Sequence, residues 1–372
     1  MKKFIRVNMV AVFVMGIFFY SQGFLYPQIS VKERNVDTNG ETMGLALRDF
    51  YVFLADGSAG LKIINISNRF SFKIKGTLLL PGSFVDQVAV DADMVVLTDT
   101  KKKQVHFVDA WDTSNPELRA SLNAQGDIPR AAAVHADMAY VVEYGEKPGA
   151  AGYFSGIEVF SIKEKISSVQ LRKLRGVRDI AVRHPFVFVG GANRVLTFEA
   201  ANTGLSPRPL TVVSFPVGED VQSIALFEEW LFVFGRMNLY VVHVLDPLKQ
   251  KILAQSPVPG CPDFRRVDAA ILDLGGGKSS DPQIFVLLTT LISYGMYTFD
   301  MPSGTLNAFP MYDLKTPGWI YFRDVHKAGD GKVEIFDSAL SRYFYPGAFS
   351  GGTFALGALG GYGMGFVQVD TK

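Results

Sequence analysis

One cysteine in 372 residues is the first thing this chain lacks. Cys261 stands alone, so no intramolecular disulfide forms, and any stability must come from a buried core rather than from covalent staples. Charge of one sign is missing as well. With 37 basic and 36 acidic residues the net charge is +1, which gives no electrostatic ground for a nucleic-acid partner. Histidine is scarce at five residues, and neither a metal-ligand spacing nor a serine, histidine and acid set stands out. No catalytic residue, metal ligand or cofactor is assigned from the sequence.

What the chain has in quantity is apolar and β-prone. Hydrophobic residues make up 48% of it, enough for a large core. Seven times a glycine opens a short run that turns apolar: Gly40-ETMGLAL, Gly82-SFVDQVAV, Gly126-DIPRAAAV, Gly176-VRDIAV, Gly218-EDVQSIAL, Gly260-CPDFRRVDAAI and Gly318-WIYFRDV. A unit of roughly 40–50 residues therefore recurs, the size of one four-stranded propeller blade. Within each unit a strongly β-prone run follows, such as Phe50-YVFLAD, Met94-VVLTD, Met138-AYVVEY, Phe186-VFVGG or Val333-EIFD. A third strand comes next, as in Leu61-KIINIS, Val105-HFVDA or Ile157-EVFSI. Aspartate and glycine at the joints suit tight hairpin turns, where positive φ is needed. Continuous apolar second strands predict burial on both faces. The pattern predicts an all-β fold, a seven-bladed β-propeller of four-stranded blades over residues 29–370. Ile29 to Val36 and the glycine-rich tail Ser350 to Phe366 compete for the place that closes the ring.

The N-terminus carries a separate signal. Lys2, Lys3 and Arg6 precede an uncharged apolar stretch from Met9 to Tyr20. As a helix it rises about 18 Å, short of a hydrocarbon core of roughly 30 Å. Residues 1–23 read as a secretory signal peptide, with an uncleaved membrane anchor as the alternative. Either reading predicts an extracytoplasmic location: periplasm, cell surface or secreted. Membrane contact is expected only through this segment.

Tyr51-VFLADGSAGLKIINIS resembles the LVIVD repeat, through Ala55-Asp56-Gly57, Gly60-Leu61 and Ile63-Ile64-Asn65-Ile66-Ser67, with Asn65 where an aspartate is usual. The resemblance implies a bacterial or archaeal propeller at or beyond the membrane and supplies no catalytic residues. Signatures of other propeller classes are missing: no S-x-D-x-G-x-x-W turn of sialidases, no regular G-H and W-D pairs, and too few tryptophans for a quinoprotein ring. Gly275-GGK-Ser279 lacks the spacing of a phosphate loop.

The remaining candidates concern binding. The loops Gly145-EKPGAAGYFSG and Gly275 to Pro282 are longer than hairpins need and are candidate partner-binding elements. His106 and His243 are expected at equivalent places on different blades, and His135 and His184 in turns. On the innermost strands, Met43, Asp86, Arg130, Arg178 and Gln222 each stand three residues before a recurring alanine. Arg266 and Arg323 lie near the corresponding place in the last two units, with Asp263, Asp179 and Asp324 close by. Equivalent positions on inner strands form a ring at one channel mouth. It is either a salt-bridge collar or a site for a small anion, to which arginine's planar fork is suited. The leading expectation is a non-catalytic exported propeller that binds a protein or glycan through its loop face. The alternative is an enzyme, a hydrolase or lyase, in which chemistry falls to Asp86, Asp179 or Asp324.

Overall fold

A computed structural model describes residues 29–67, 72–146, 153–163, 165–201, 204–258, 264–272, 283–290, 293–300, 304–308, 319–321, 337–342, 353–358 and 364–371, with side chains from 36 to 258 and at Phe299 and Gly304. The described residues hold strands and turns and no helix. The N-terminal segment, Cys261, Asp263, Arg323, Asp324 and both glycine-rich expectations in 275–282 and 350–352 lie outside them.

Five sheets are four-stranded and antiparallel, and two more carry a fifth short strand. The first runs Gly44–Arg48, Tyr51–Ala55, Leu61–Asn65, Lys73–Leu78, and the second Val85–Asp91, Met94–Asp99, Gln104–Asp109, Glu117–Asn123. The third is Ile128–His135, Met138–Glu146, Tyr153–Ser161, Ser167–Lys173. The fourth begins with Val177–Arg183, Phe186–Gly191 and Arg194–Ala201, and the fifth with Ser223–Phe227, Trp230–Phe234 and Asn238–His243. The sixth opens on Phe264–Leu272. In the last sheet Asp337–Arg342 is followed by Thr353–Ala358 and Met364–Thr371, and Ile29–Val36 pairs with Met364–Thr371 along its whole length. Both chain ends thus build one sheet: Ile29–Val36 takes its outer edge and the tail its middle, so the two segments do not compete.

The first strand of each sheet touches the first strand of the next, and Asp337–Arg342 touches both Phe264–Leu272 and Gly44–Arg48. The phase of the last repeat differs from the sequence reading. Trp319–Tyr321, expected to open the last unit, pairs with Ser293–Asp300 in the sixth sheet, and Asp337–Arg342 is the inner strand instead.

Burial explains the repeat. Second strands are shielded on both faces, as Phe53, Leu54 and Ala55 or Val95, Val96 and Leu97 show, because each sheet is sandwiched between neighbours. Phe53, Leu61, Val85, Val95 and Leu97 fill the space between the first two sheets. Val96, Phe107, Val141 and Phe160 fill the next, with the two phenylalanine rings edge to face at 5.3 Å. Tyr140, Val159, Val187 and Phe198 continue the series, then Phe188, Val195, Leu231 and Val233. Outer strands alternate instead, as in Lys251–Pro257. First and second strands join through two-residue turns whose leading residue has positive φ: Asp49, Ala92, Ala136 and Glu228.

Candidate functional site

Four inner strands open on the same irregularity. Register slips between Val85 and Gln87, Pro129 and Ala131, Val177 and Asp179, and Phe264 and Arg266, so Asp86, Arg130, Arg178 and Arg265 are the extra, unpaired residues of four bulges. Met43 and Gln222 hold the corresponding place where their strands begin, donating N–H to the carbonyls of Ala55 and Phe234. Met43, Asp86, Arg130, Arg178 and Gln222 therefore share one position on successive sheets. Arg266 falls one residue beyond it, opposite Thr289 and level with Asp179.

Side chains at neighbouring equivalent positions meet. Arg178 Nη1 donates to Gln222 Oε1 at 2.7 Å, and its Nη2 stands 4.0 Å from Asp220. Asp86 accepts from Thr98 Oγ1 at 2.7 Å. Burial drives the Asp86 carboxyl up to about 7 against the opposing pull of Thr98 and of the Arg130 charge. Arg130 and Arg178 are exposed.

Asp179 is placed differently from the sequence expectation. It is buried, and Oδ2 accepts from Ser223 Oγ at 2.7 Å and Ile224 N–H at 2.9 Å, both on the next inner strand. It clasps two sheets together. At the other end of the inner strands, arginine does the same. Arg183 donates to the carbonyls of Glu228 at 2.7 Å and Val244 at 2.6 Å, and Arg48 to those of Ala92 and Ala110.

Sequence reasoning missed a layer of buried acids at the ends of second strands. Asp56 accepts from Thr38 and Thr42 hydroxyls, each at 2.7 Å, and burial raises its carboxyl above the usual range. Asp99 accepts backbone N–H groups of Phe84, Lys101 and Lys102, and its Oδ2 lies 3.2 Å from His106 Nε2. Glu143 occupies the same rung in the third sheet. The signal was an acid at one fixed offset in the runs YVFLAD, MVVLTD and MAYVVE. The histidines are also arranged otherwise. His106 sits opposite Leu97, whereas His243 sits opposite Trp230 on a different rung, and His135 ends an inner strand with its ring stacked on His184 at 5.7 Å. Among the described residues no group of three metal-ligating side chains converges.

The turn Asp56-Gly57-Ser58-Ala59-Gly60 carries the repeat motif. Gly57 and Gly60 take positive φ, and a Cβ on Gly60 would lie 2.2 Å from the Leu78 carbonyl, so only glycine fits the motif there. Residues 39–79 match the LVIVD repeat. That repeat family occurs in β-propeller proteins, and the solved structures similar to this chain are propeller-like. Saccharomyces cerevisiae Sqt1 aligns with a TM-score of 0.57 at 10% identity, over 93% of this chain and 100% of Sqt1. A Lactobacillus plantarum protein aligns with a TM-score of 0.53 at 15% identity, over 75% of this chain and 86% of that one. At such identity the likeness shows fold alone. No curated protein matches the chain.

Proposed function

We propose that this chain is an exported, seven-bladed, closed propeller that works by binding rather than by catalysis, gripping an acidic group of a protein or glycan partner at the loop face beside the channel mouth. Contact between successive inner strands, with Asp337–Arg342 reaching back to Gly44–Arg48, supports the closed ring. The charge-flanked apolar run at the N-terminus supports export.

The observation that carries the binding role is the repeated bulge. Arg130 and Arg178 hold equivalent places on neighbouring sheets, both exposed, and among the described residues Asp86 is near enough to Arg130 to interact with it while Asp220 stands at the edge of ion-pair range from Arg178, which supports a shared site at one mouth. Two guanidinium groups in that setting attract a carboxylate, whose geometry they match. Succinate should raise the melting temperature of the mature chain in a saturable way, and Arg130→Ala with Arg178→Ala should remove the response while leaving the fold intact. An unchanged response in the double variant refutes the site.

The enzymatic alternative, a hydrolase or lyase, gains one observation. Asp86 is pushed up to about 7, a value suited to proton transfer at neutral pH. Arginine cannot act as a base, so Asp86 would have to carry any chemistry, and Asp86→Asn should abolish a turnover that survives Asp179→Asn.

A further inference from the structure

The buried acid layer contains one pair that differs in kind from its neighbours. In the first three sheets, an acid late in the second strand or just past it has a diagonal partner on the third strand. The rungs Leu54–Lys62, Leu97–His106 and Val141–Glu158 are equivalent, and Asp56, Asp99 and Glu143 stand two residues on. Lys62 and His106 bring protons of their own. Glu158 brings a second carboxyl.

Glu143 and Glu158 are both wholly buried. Glu143 Oε2 accepts the N–H of Gly126, and Glu158 Oε2 accepts the N–H of Gln125 at 2.9 Å. Among the described residues the remaining oxygen of each has no other partner, and the two side chains are diagonal neighbours on adjacent strands, close enough for Glu158 to act on the Glu143 carboxyl. A hydrogen bond between two carboxyls exists only if one of them is protonated. Among the described residues no third metal-ligating side chain joins them, and a proton shared between the two carboxyls satisfies both.

We propose that Glu143 and Glu158 form a shared-proton latch that fastens the turn 124–127 to the third sheet while the pair holds one proton and frees it when that proton leaves. The proton passes to solvent, and two carboxylates remain where one fitted. Repulsion and burial then favour opening of the segment that donates to them.

The surroundings reinforce this. Charged groups that reach Glu143 are Glu158 and, from the turn, Asp127, which like Glu158 is acidic and disfavours ionisation of Glu143. Lys103 of the preceding sheet pairs with Asp127 rather than with the glutamates, and Lys173 stands two strands out from Glu143 on the same rung at an exposed edge. Burial, followed by Glu158, holds the Glu143 carboxyl far above its ordinary 4.5. A folded value above the unfolded one stabilises the fold fully below about 4.5, and that stabilisation is lost as pH climbs through the folded value.

Arg130 lies three residues beyond Asp127, at the bulge of the strand this turn feeds. The latch would thus also regulate the mouth, a consequence that rests on the anion-binding reading, whereas the latch itself does not.

The test is amide hydrogen exchange of Gln125 and Gly126 in the full chain at about pH 6 and about pH 9, corrected for intrinsic rates. Protection should fall at least about tenfold at the higher pH in the parent. It should stay level in Glu158→Gln, whose amide donates permanently while its oxygen still accepts from Gln125. No fall in the parent, or an equal fall in the variant, overturns the latch. Should that variant not fold, infrared spectra of the parent carrying ¹³C-glutamate decide: a protonated glutamic-acid band at about pH 6 that fades by about pH 9 is required, and its absence at the lower pH refutes the proposal. Succinate binding on the same samples separates the two ideas, because a parent that binds no succinate at either pH rejects the mouth reading without touching the exchange result.

Discussion

Replacing Asp179 by alanine removes an acceptor that two groups of the next inner strand share, the Ser223 hydroxyl at 2.7 Å and the Ile224 N–H at 2.9 Å. Asp179 and Ser223 are both buried, so neither loss is made good by bulk water. A buried donor deprived of its partner costs about 1–3 kcal/mol, which puts the sum of two at about 2–6 kcal/mol. An unfolding entropy of about 2.1 cal/mol/K per residue converts 1 kcal/mol to roughly 1.3 °C in a chain this long, so the melting temperature should fall by about 3–8 °C. Calorimetry on Asp179→Ala, Ser223→Ala and the double variant forms a cycle. Ser223→Ala should cost less in the Asp179→Ala background than in the parent, with a coupling of about 0.5–3 kcal/mol. Additive losses would show that the two residues do not act together. A fall below 1 °C would show that the clasp does not join the blades.

Asp86→Asn should flatten the pH dependence of stability: a carboxyl raised to about 7 from 3.8 stabilises the fold below its ordinary value and loses that contribution as pH rises through about 7, so the parent's chemical-denaturation midpoint should drop over that window more than the variant's. Gly60→Ala should destabilise by about 1–3 kcal/mol or more, since a Cβ there meets backbone at 2.2 Å and φ is +80°, and equilibrium denaturation checks it. Arg183→Ala should cost about 1–3 kcal/mol by the same assay, because two carbonyls on the neighbouring blade lose a charged donor.

The repeat was legible because each blade reuses one solution. Where burial is described, an apolar second strand buried on both faces and a more exposed outer strand leave a recurring mark in sequence. The shared position of Met43, Asp86, Arg130, Arg178 and Gln222 on successive inner strands was legible for the same reason, since all five keep one offset from an alanine. Asp179 was misplaced because a bulge carries the next residue back into register, so Arg178 and Asp179 face different neighbours. One residue of phase separates Arg265 from Arg266 in the same way. The last sheet escaped because it is assembled from both chain ends, where a repeat read along the chain loses its phase. Glu143 and Glu158 escaped because strand patterning shows that a position is buried but not what a charged side chain there meets, and here the turn's N–H groups donate to both.

The most direct test of the account is a crystal structure of the mature chain grown at about pH 7 with succinate. The account predicts seven blades around one channel and carboxylate density bridging the guanidinium groups of Arg130 and Arg178. A ring of six or eight blades, or Arg130 paired bidentately with Asp86 and no density between the two arginines, would contradict it.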